Sequence, residues 1–428
     1  MEAQQDKRAV AIVVGGGPAP GINGVISAAT IAAIKQGHTV YGIYKGFERI
    51  AAGDASCIKE LTISDVSRID AEGGSMLLTS RANPKKSPEM LENVVRLLQE
   101  KNVGYLVTIG GDDTAASAKA VADAASGSIA VAHVPKTIDN DLPLPGHVST
   151  FGFQTAREVG TAIVETLMND AKTTSRWYLV IAMGRKAGHL AMGIGVSASA
   201  TLSVIPEEFP DKKVPLGVIT DIIAGSILKR LVHNRPYGVA VLAEGLAEIL
   251  DQDSIPELAG AERDPHGNIR FAELDFGRLI RTAVRDRLAE FGMEKLLVID
   301  KNVGYELRCH APNAFDRAYT KELGYGAIEF LLDGGSEAMI IRRGDDLAAL
   351  PFAEFIDPKT GRAEIRMVDT NSTSFKIARK YQIRMTEKNL GDPAFTGALS
   401  KIVQRTPEAI ATAFAAAAKG WGAFPETK

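Results

Sequence analysis

Two patterns of apolar and polar positions alternate through residues 1–150. The runs AVAIVV (Ala9 to Val14), HTVYGIY (His38 to Tyr44), GYLVTIG (Gly104 to Gly110) and IAVAHV (Ile129 to Val134) are short, apolar and rich in β-branched residues, which predicts strands. Between them, INGVISAATIAAIKQ (Ile22 to Gln36) and MLENVVRLLQEK (Met90 to Lys101) are amphipathic at helical spacing. Strands that are apolar throughout, not at every second residue, predict burial on both faces, and so an α/β fold with a parallel sheet covered by helices. The pattern resumes after Thr155 with WYLVIAMG, TLSVIP and YGVAVLAEG, which predicts a second α/β unit. SIPELAGAERDPHGNIR (Ser254 to Arg270) predicts a surface excursion, and EAIATAFAAAAKG (Glu408 to Gly420) a helix ended by glycine. Parallel sheets bind ligands at the carboxyl ends of their strands. The residues just after each strand are therefore the ones to read for chemistry.

At 428 residues the chain has the length of two ordinary domains, and 45% hydrophobic with 24% charged residues is a globular composition. A formal net charge of −3 gives no general affinity for nucleic acid or for an anionic membrane. Any polyanionic ligand must then be met by arginines and lysines gathered locally. The two cysteines, Cys57 and Cys309, are too few for a disulfide framework or a zinc cluster, which points to a reducing compartment. The first residues lack a signal-peptide layout, and no apolar run reaches the ~18 residues of a membrane span. A cytoplasmic protein is expected.

Four segments after strands carry candidate chemistry. GGGPAPGIN (Gly15 to Asn23) joins a strand to a helix with glycines that admit close backbone approach, and a helix start favours phosphate. Pro20 occupies the third glycine of a dinucleotide fingerprint, and no Walker lysine follows, so the segment reads only as an anion site or a plain turn. GGDD (Gly110 to Asp113) sets two carboxylates at a strand end. One could cap the following helix; alternatively Asp112 is a Mg²⁺ ligand, since hard oxygens and phosphates are what that ion takes. VPKTIDNDLP (Val134 to Pro143) brings Lys136, Thr137, Asp139 and Asp141 together. Phosphoryl transfer to an alcohol needs a carboxylate for the hydroxyl proton and a cation for the moving group. An Asp-, Asn- and Pro-rich turn is the plainer account. Arg81, Arg176, Arg185 with Lys186, and Arg308 stand near glycines and strand ends and read together as a phosphate-binding set. Glu207 and Glu208 follow TLSVIP, where a carboxylate suits sugar hydroxyls.

These segments, in this order, resemble the phosphofructokinase family from GGGPAPGIN through GGDD, PKTIDND, MGRKAGH and IPEE to GYELRCHAPNAFDR. TIDND after GGD is the most specific of them. The resemblance implies two Rossmann-like α/β domains with largely parallel sheets covered by helices and an active site in the cleft between them. It implies a phosphoryl-donor domain of residues 1–150 plus about 305–360, and a sugar-phosphate domain of about 151–304 plus 361–428. It also implies roles. Asp139 would be the general base on the sugar 1-hydroxyl, Asp141 its partner near the metal, and Asp112 the Mg²⁺ ligand. Gly16, beside Gly17, would give a backbone donor to the moving phosphoryl, with Thr137 hydrogen-bonding beside it and Arg81 on the donor. Arg185 would stabilise transition-state charge, Met183 and Gly184 line the sugar, and Glu207 hold its hydroxyls. Arg308, with Tyr305, would bind the 6-phosphate. Arg176, and more loosely Lys301, would reach in from a neighbouring subunit of a homo-oligomer.

At two positions the chain resembles the members of the family that use pyrophosphate. Members that use ATP carry glycine where Asp113 and Lys136 stand here. Physically, Asp113 would set a negative charge in the path of a nucleotide's α-phosphate. Like charges ~4 Å apart at an effective dielectric near 20 repel by about 4 kcal/mol before screening. Lys136 would balance Asp113 and hold the departing phosphate. Pro18, where ATP-using members usually have Asp, also departs from that branch. The expected reaction is Mg²⁺-dependent, reversible transfer from pyrophosphate to fructose 6-phosphate. Transfer to another ketose phosphate such as sedoheptulose 7-phosphate, a non-catalytic sugar-phosphate sensor and, more distantly, a dinucleotide oxidoreductase are the alternatives.

Overall fold

Among the described residues, twelve strands form the two larger sheets, and Ile356–Asp357 pairs antiparallel with Arg362–Ala363 as a separate two-stranded sheet. In chain order the twelve are β1 (Ala9–Val14), β2 (Val40–Ile43), β3 (Ile58–Leu61), β4 (Val103–Gly110), β5 (Ala130–Thr137), β6 (Phe151–Gly152), β7 (Trp177–Ala182), β8 (Leu202–Val204), β9 (Gly238–Ala243), β10 (Val298–Val303), β11 (Ala338–Arg343) and β12 (Asp346–Pro351). The structure is a computed structural model and describes residues 8–146, 148–210, 213–260, 262, 274–360 and 362–419. The chain divides into two compact units, Met1–Ala156 with Tyr305–Arg366, and Arg157–Gly304 with Met367–Lys428.

The first unit holds an eight-stranded sheet in the order β12-β11-β5-β4-β1-β2-β3, with β6 paired to the end of β5. The pairings of β11, β5, β4, β1 and β2 are parallel, and only the outer strands β12 and β3 run antiparallel. The continuous apolar runs have the predicted cause. Along β1, Ala9, Ala11 and Val13 enter one hydrophobic core, while Val10, Ile12 and Val14 enter another on the opposite face. Each face is covered at β1, and both registers of its side chains are apolar.

The second unit has a four-stranded, wholly parallel sheet in the order β10-β7-β9-β8. Trp177, Leu179 and Ile181 on β7 pack with Leu202, Val204, Ala240 and Leu242 against the helices Leu216–Val232 and Phe276–Ala289. Among the described residues no helix is long and apolar enough to cross a membrane.

Two sequence expectations need correction. The strand read as Ile129 to Val134 continues to Thr137, so Lys136 and Thr137 lie on β5 and not in the loop after it. Pro135, which has no N–H to donate, sits where β5 changes partner: Gly110 of β4 pairs with Pro135, and Phe151 of β6 with Lys136. The excursion expected at Ser254 to Arg270 is in part core, because Ile255 and Leu258 are buried in the helix-packed cluster; residues 261 and 263–270 lie outside the described residues.

Candidate active site

In the first unit, β1, β4 and β5 are adjacent, and each delivers one of the candidate segments at its carboxyl end. After β1 the chain turns through Gly16, at φ 80°, a conformation that favours glycine. The Gly16 amide, which the resemblance implies as a donor to the moving phosphoryl, has a partner within the protein. It donates to Ser80 O at 2.9 Å, while the Thr79 hydroxyl donates to Gly16 O at 2.7 Å. The segment Thr79–Arg81 is thereby laced to the glycine loop through both backbone groups of one residue.

Lys136 projects into the same loop from β5. It is only 4% exposed, and its Nζ donates to Gly17 O. A Cβ on Gly16 would stand 3.2 Å from that ammonium. Arg308, in the short helix Tyr305–Arg308, lies against the same loop: a Cβ on Gly17 would collide with its Nη2, and its guanidinium carbon is 5.3 Å from the centre of the Tyr305 ring. Burial, then the like charge of Arg81, lowers the Arg308 pKa, and Asp139 opposes the shift. So Arg308, expected with Tyr305 on a 6-phosphate, lies against the glycine loop with Arg81 and Asp139 near enough to act on it.

After β4, the helix Asp112–Ala125 begins directly, with Asp112 and Asp113 in its first turn. The capping account of this pair is not realised: the N-cap is Gly111, without a side-chain cap. Both carboxylates are half-buried beside a helix N-terminus, where the partial positive charge favours anions. After β5, Asp139 is buried to 9% exposure, and its N–H donates to Thr137 Oγ1 at 3.0 Å. Asn140 follows in the left-handed conformation, φ 57°, and reverses the chain before Asp141.

The residue that sequence reading missed here is Arg366. Its Nε and Nη2 donate to Asn140 O at 3.1 and 2.9 Å, its Nη1 to Val148 O at 2.8 Å, and its backbone N–H to Asp141 O at 2.7 Å. Nothing in MVDTNS or the residues before it announces that contact, which spans 226 positions.

The second unit places Met183, Gly184 and Arg185 directly after β7. Arg185 has φ 51°, unusual for a residue with a side chain, and the turn is held by Glu244 at the end of β9. Glu244 Oε1 accepts from the N–H groups of Gly184 at 3.0 Å and Arg185 at 2.8 Å. Glu244 was also missed, although a carboxylate straight after the strand YGVAVLA is the signal that would have found it. Glu207 follows β8. Its Oε1 accepts from Gly188 N at 2.8 Å and Val368 N at 3.0 Å, while its Oε2 is buried and has no hydrogen-bond partner among the described residues. Burial raises the Glu207 pKa, against the pull of those two amides. Glu208, read with it as a sugar carboxylate, is instead committed to Arg379 at 2.8 Å and Arg384 at 3.0 Å.

The expected set of cations is therefore not a single cluster within either unit. Arg81 and Arg308 belong to the first. In the second, Arg185 and Lys186 stand at the carboxyl end of β7 and Arg176 at its amino end, about 20 Å away at ~3.3 Å per strand residue. Arg176 faces Asp170 at 3.9 Å, and Lys301 is exposed on β10, at the sheet's edge.

The phosphofructokinase family model matches residues 9–331. A pyrophosphate–fructose 6-phosphate 1-phosphotransferase of Thermotoga maritima is 51% identical over 387 residues, 89% of this chain and 92% of that one. A protein of the same name from Naegleria fowleri is 51% identical over 387 residues, 88% of each chain. The crystal structure of a pyrophosphate-dependent phosphofructokinase from Nitrosospira multiformis shares the fold, with a TM-score of 0.65 at 19% identity over 91% of this chain and 95% of that one. The glycine loop, the GGDD and TIDND turns and Met183–Arg185 all fall inside the matched stretch, and the chain belongs to the phosphofructokinase family.

Proposed function

We infer that this chain is an enzyme that transfers a phosphoryl group from pyrophosphate to the 1-hydroxyl of fructose 6-phosphate, giving fructose 1,6-bisphosphate and phosphate. The observation that carries the donor choice is Lys136: a buried ammonium folded onto Gly17 O, one strand away from Asp113 at the start of the neighbouring helix. Relatives at 51% identity bear the name of this activity.

Asp139 takes the proton of the sugar 1-hydroxyl; that oxygen bonds to phosphorus as the bridging P–O bond of pyrophosphate breaks and phosphate leaves. Lys136 and Arg185 offset the charge on the moving and departing groups. Arg308 and Arg81 are like charges near one another, and among the described residues neither has an ion pair, so an anionic phosphate between their charges relieves the repulsion. In the second unit, the buried Oε2 of Glu207 accepts a sugar hydroxyl, with Met183 and Gly184 along the sugar. One phosphoryl ester is made as one anhydride is opened, so the step runs in either direction.

Among the described residues no group of three or more His, Cys, Asp or Glu converges as a metal cage. Asp112, a half-buried hard oxygen donor at a strand end, fits an ion that completes its shell with substrate phosphates and water, as Mg²⁺ does, with Asp141 as its partner carboxylate. Such an ion would supply neutralising charge to the phosphoryl oxygens. Arg176 and Lys301, apart from the Arg185 turn, serve the site of a neighbouring copy in a homo-oligomer, and the free cysteines suit a reducing cytoplasm.

The test is a coupled assay with fructose 6-phosphate and Mg²⁺, run with pyrophosphate and with ATP. Turnover with pyrophosphate is expected; turnover with ATP alone would overturn the donor assignment. Mixing Arg176→Ala with Asp139→Asn protein should restore activity if sites are shared, and a fully active monomer by light scattering would refute sharing.

A further inference from the structure

We propose that Arg366 is a positioning residue for the proton transfer: its guanidinium fixes the Asn140 reversal that holds Asp139 and Asp141 in their working places. This rests on the functional reading above. The turn after β5 has no ladder to satisfy its carbonyls, and a buried backbone carbonyl without a donor is costly. One side chain supplies the donors. Arg366 reaches Asn140 O twice, at 3.1 and 2.9 Å, Asn140 Oδ1 once, Val148 O at 2.8 Å and Leu144 O at 3.4 Å, and its own N–H takes Asp141 O at 2.7 Å. The other side of the turn is pinned by Thr150, whose N–H donates to Asn140 Oδ1 at 3.0 Å and whose hydroxyl donates to Thr137 O at 2.7 Å.

Two features make Arg366 more than a packing residue. Asn140 sits at φ 57°, where a residue with a side chain is strained, so the reversal persists only while its surroundings hold it. The planar fork of arginine also matches this set of acceptors; a lysine in its place offers a single ammonium with no fixed plane. The contacts fall on the residues flanking Asp139 and Asp141 and on the loop that follows them. Loosening them displaces the base without removing any group that touches substrate.

The experiment compares wild type, Arg366→Lys and Arg366→Ala in the pyrophosphate assay, with amide hydrogen exchange on the same proteins. A base displaced by about 1 Å loses on the order of 100-fold in rate. We expect Arg366→Lys to lower kcat about 100-fold with KM for both substrates within about threefold. Exchange should quicken about tenfold in 138–150 and not across the sheet. Guanidinium ion should restore part of the kcat of Arg366→Ala. An unchanged kcat in the folded variant overturns the proposal, as does a joint loss of kcat, KM and melting temperature with exchange raised throughout the unit. Should neither Arg366 variant fold, Asn140→Ala is the second probe: the same fall in kcat at constant KM supports the clamp, and unaltered kcat overturns it. A wild type without pyrophosphate turnover would count against the functional reading alone, since the exchange pattern still decides whether Arg366 holds the turn.

Discussion

Lys136→Met tests the electrostatic account of the donor most directly. The methionine keeps most of the length and flexibility of the side chain, so the packing of a residue 4% exposed is largely retained while its charge is lost. The wild-type ammonium is bonded to Gly17 O, inside the loop that reads as the phosphate cradle. A unit charge ~4 Å from a phosphate oxygen, at an effective dielectric near 20, is worth about 4 kcal/mol before screening. At ~1.4 kcal/mol per decade, that is about three orders of magnitude in kcat/KM for pyrophosphate. The effect on stability has two opposed parts. Gly17 O loses a donor, which costs roughly 1–3 kcal/mol, while a buried ammonium no longer has to be desolvated. Net stability should therefore move by no more than about 2 kcal/mol. The assay is steady-state kinetics over pyrophosphate at saturating fructose 6-phosphate, with an unfolding curve on the same sample. A folded Lys136→Met enzyme with kcat/KM within threefold of wild type would refute the reasoning. So would a loss confined to KM for the sugar, because nothing places Lys136 on that substrate.

Three further outcomes follow from the same geometry. Asp139→Asn should lower kcat by about 10²–10⁴ with an unchanged melting temperature, read by coupled assay and calorimetry; near-normal turnover in a folded protein would remove Asp139 as the base. Asp113→Gly combined with Lys136→Gly should admit ATP, seen as competitive inhibition of pyrophosphate use even where no turnover appears; no ATP binding would count against the charge block. Glu207→Gln bears on stability against pH. The Glu207 pKa is raised in the folded protein, so above about pH 4.5 the folded state holds a proton that the unfolded state has lost, and stability falls as pH rises through the raised value. The variant should flatten that fall in urea titrations from pH 4.5 upward, and identical slopes in the two proteins would show that Glu207 is not the group responsible.

Much of the candidate site was legible because parallel sheets impose a local rule. AVAIVV, YLVTI and AVAHV read as buried strands from their own composition, and chemistry had to sit just beyond them. Gly15–Gly17, Asp112, Asp113, Asp139 and Met183–Arg185 do so. Hydrophobic periodicity and glycine punctuation are properties of neighbouring residues, so a linear reading captures them. The two aspartates of GGDD show where that reading stops. Helix capping could be named as one account, but only the backbone decided that Gly111 holds the cap and leaves both carboxylates in the first turn.

Tertiary structure alone decided the contacts that close over large separations. Whether the Gly16 amide faces a ligand depends on Ser80, 64 positions away by number, and not on the glycine loop itself. The same holds for Lys136 on Gly17 O, a separation of 119, and for Arg366 on Asn140, a separation of 226. Glu207 and Glu208 are adjacent and chemically identical in sequence, yet one keeps a buried oxygen without a partner among the described residues and the other is consumed by two arginines from the chain's last part. The sequence by itself determined the alternating strands and helices, the fold class and the strand ends where phosphate chemistry would gather, because those follow from local pattern. Which polar atoms are committed to the protein and which remain for a ligand follows from where distant segments pack, and that only the folded chain determines.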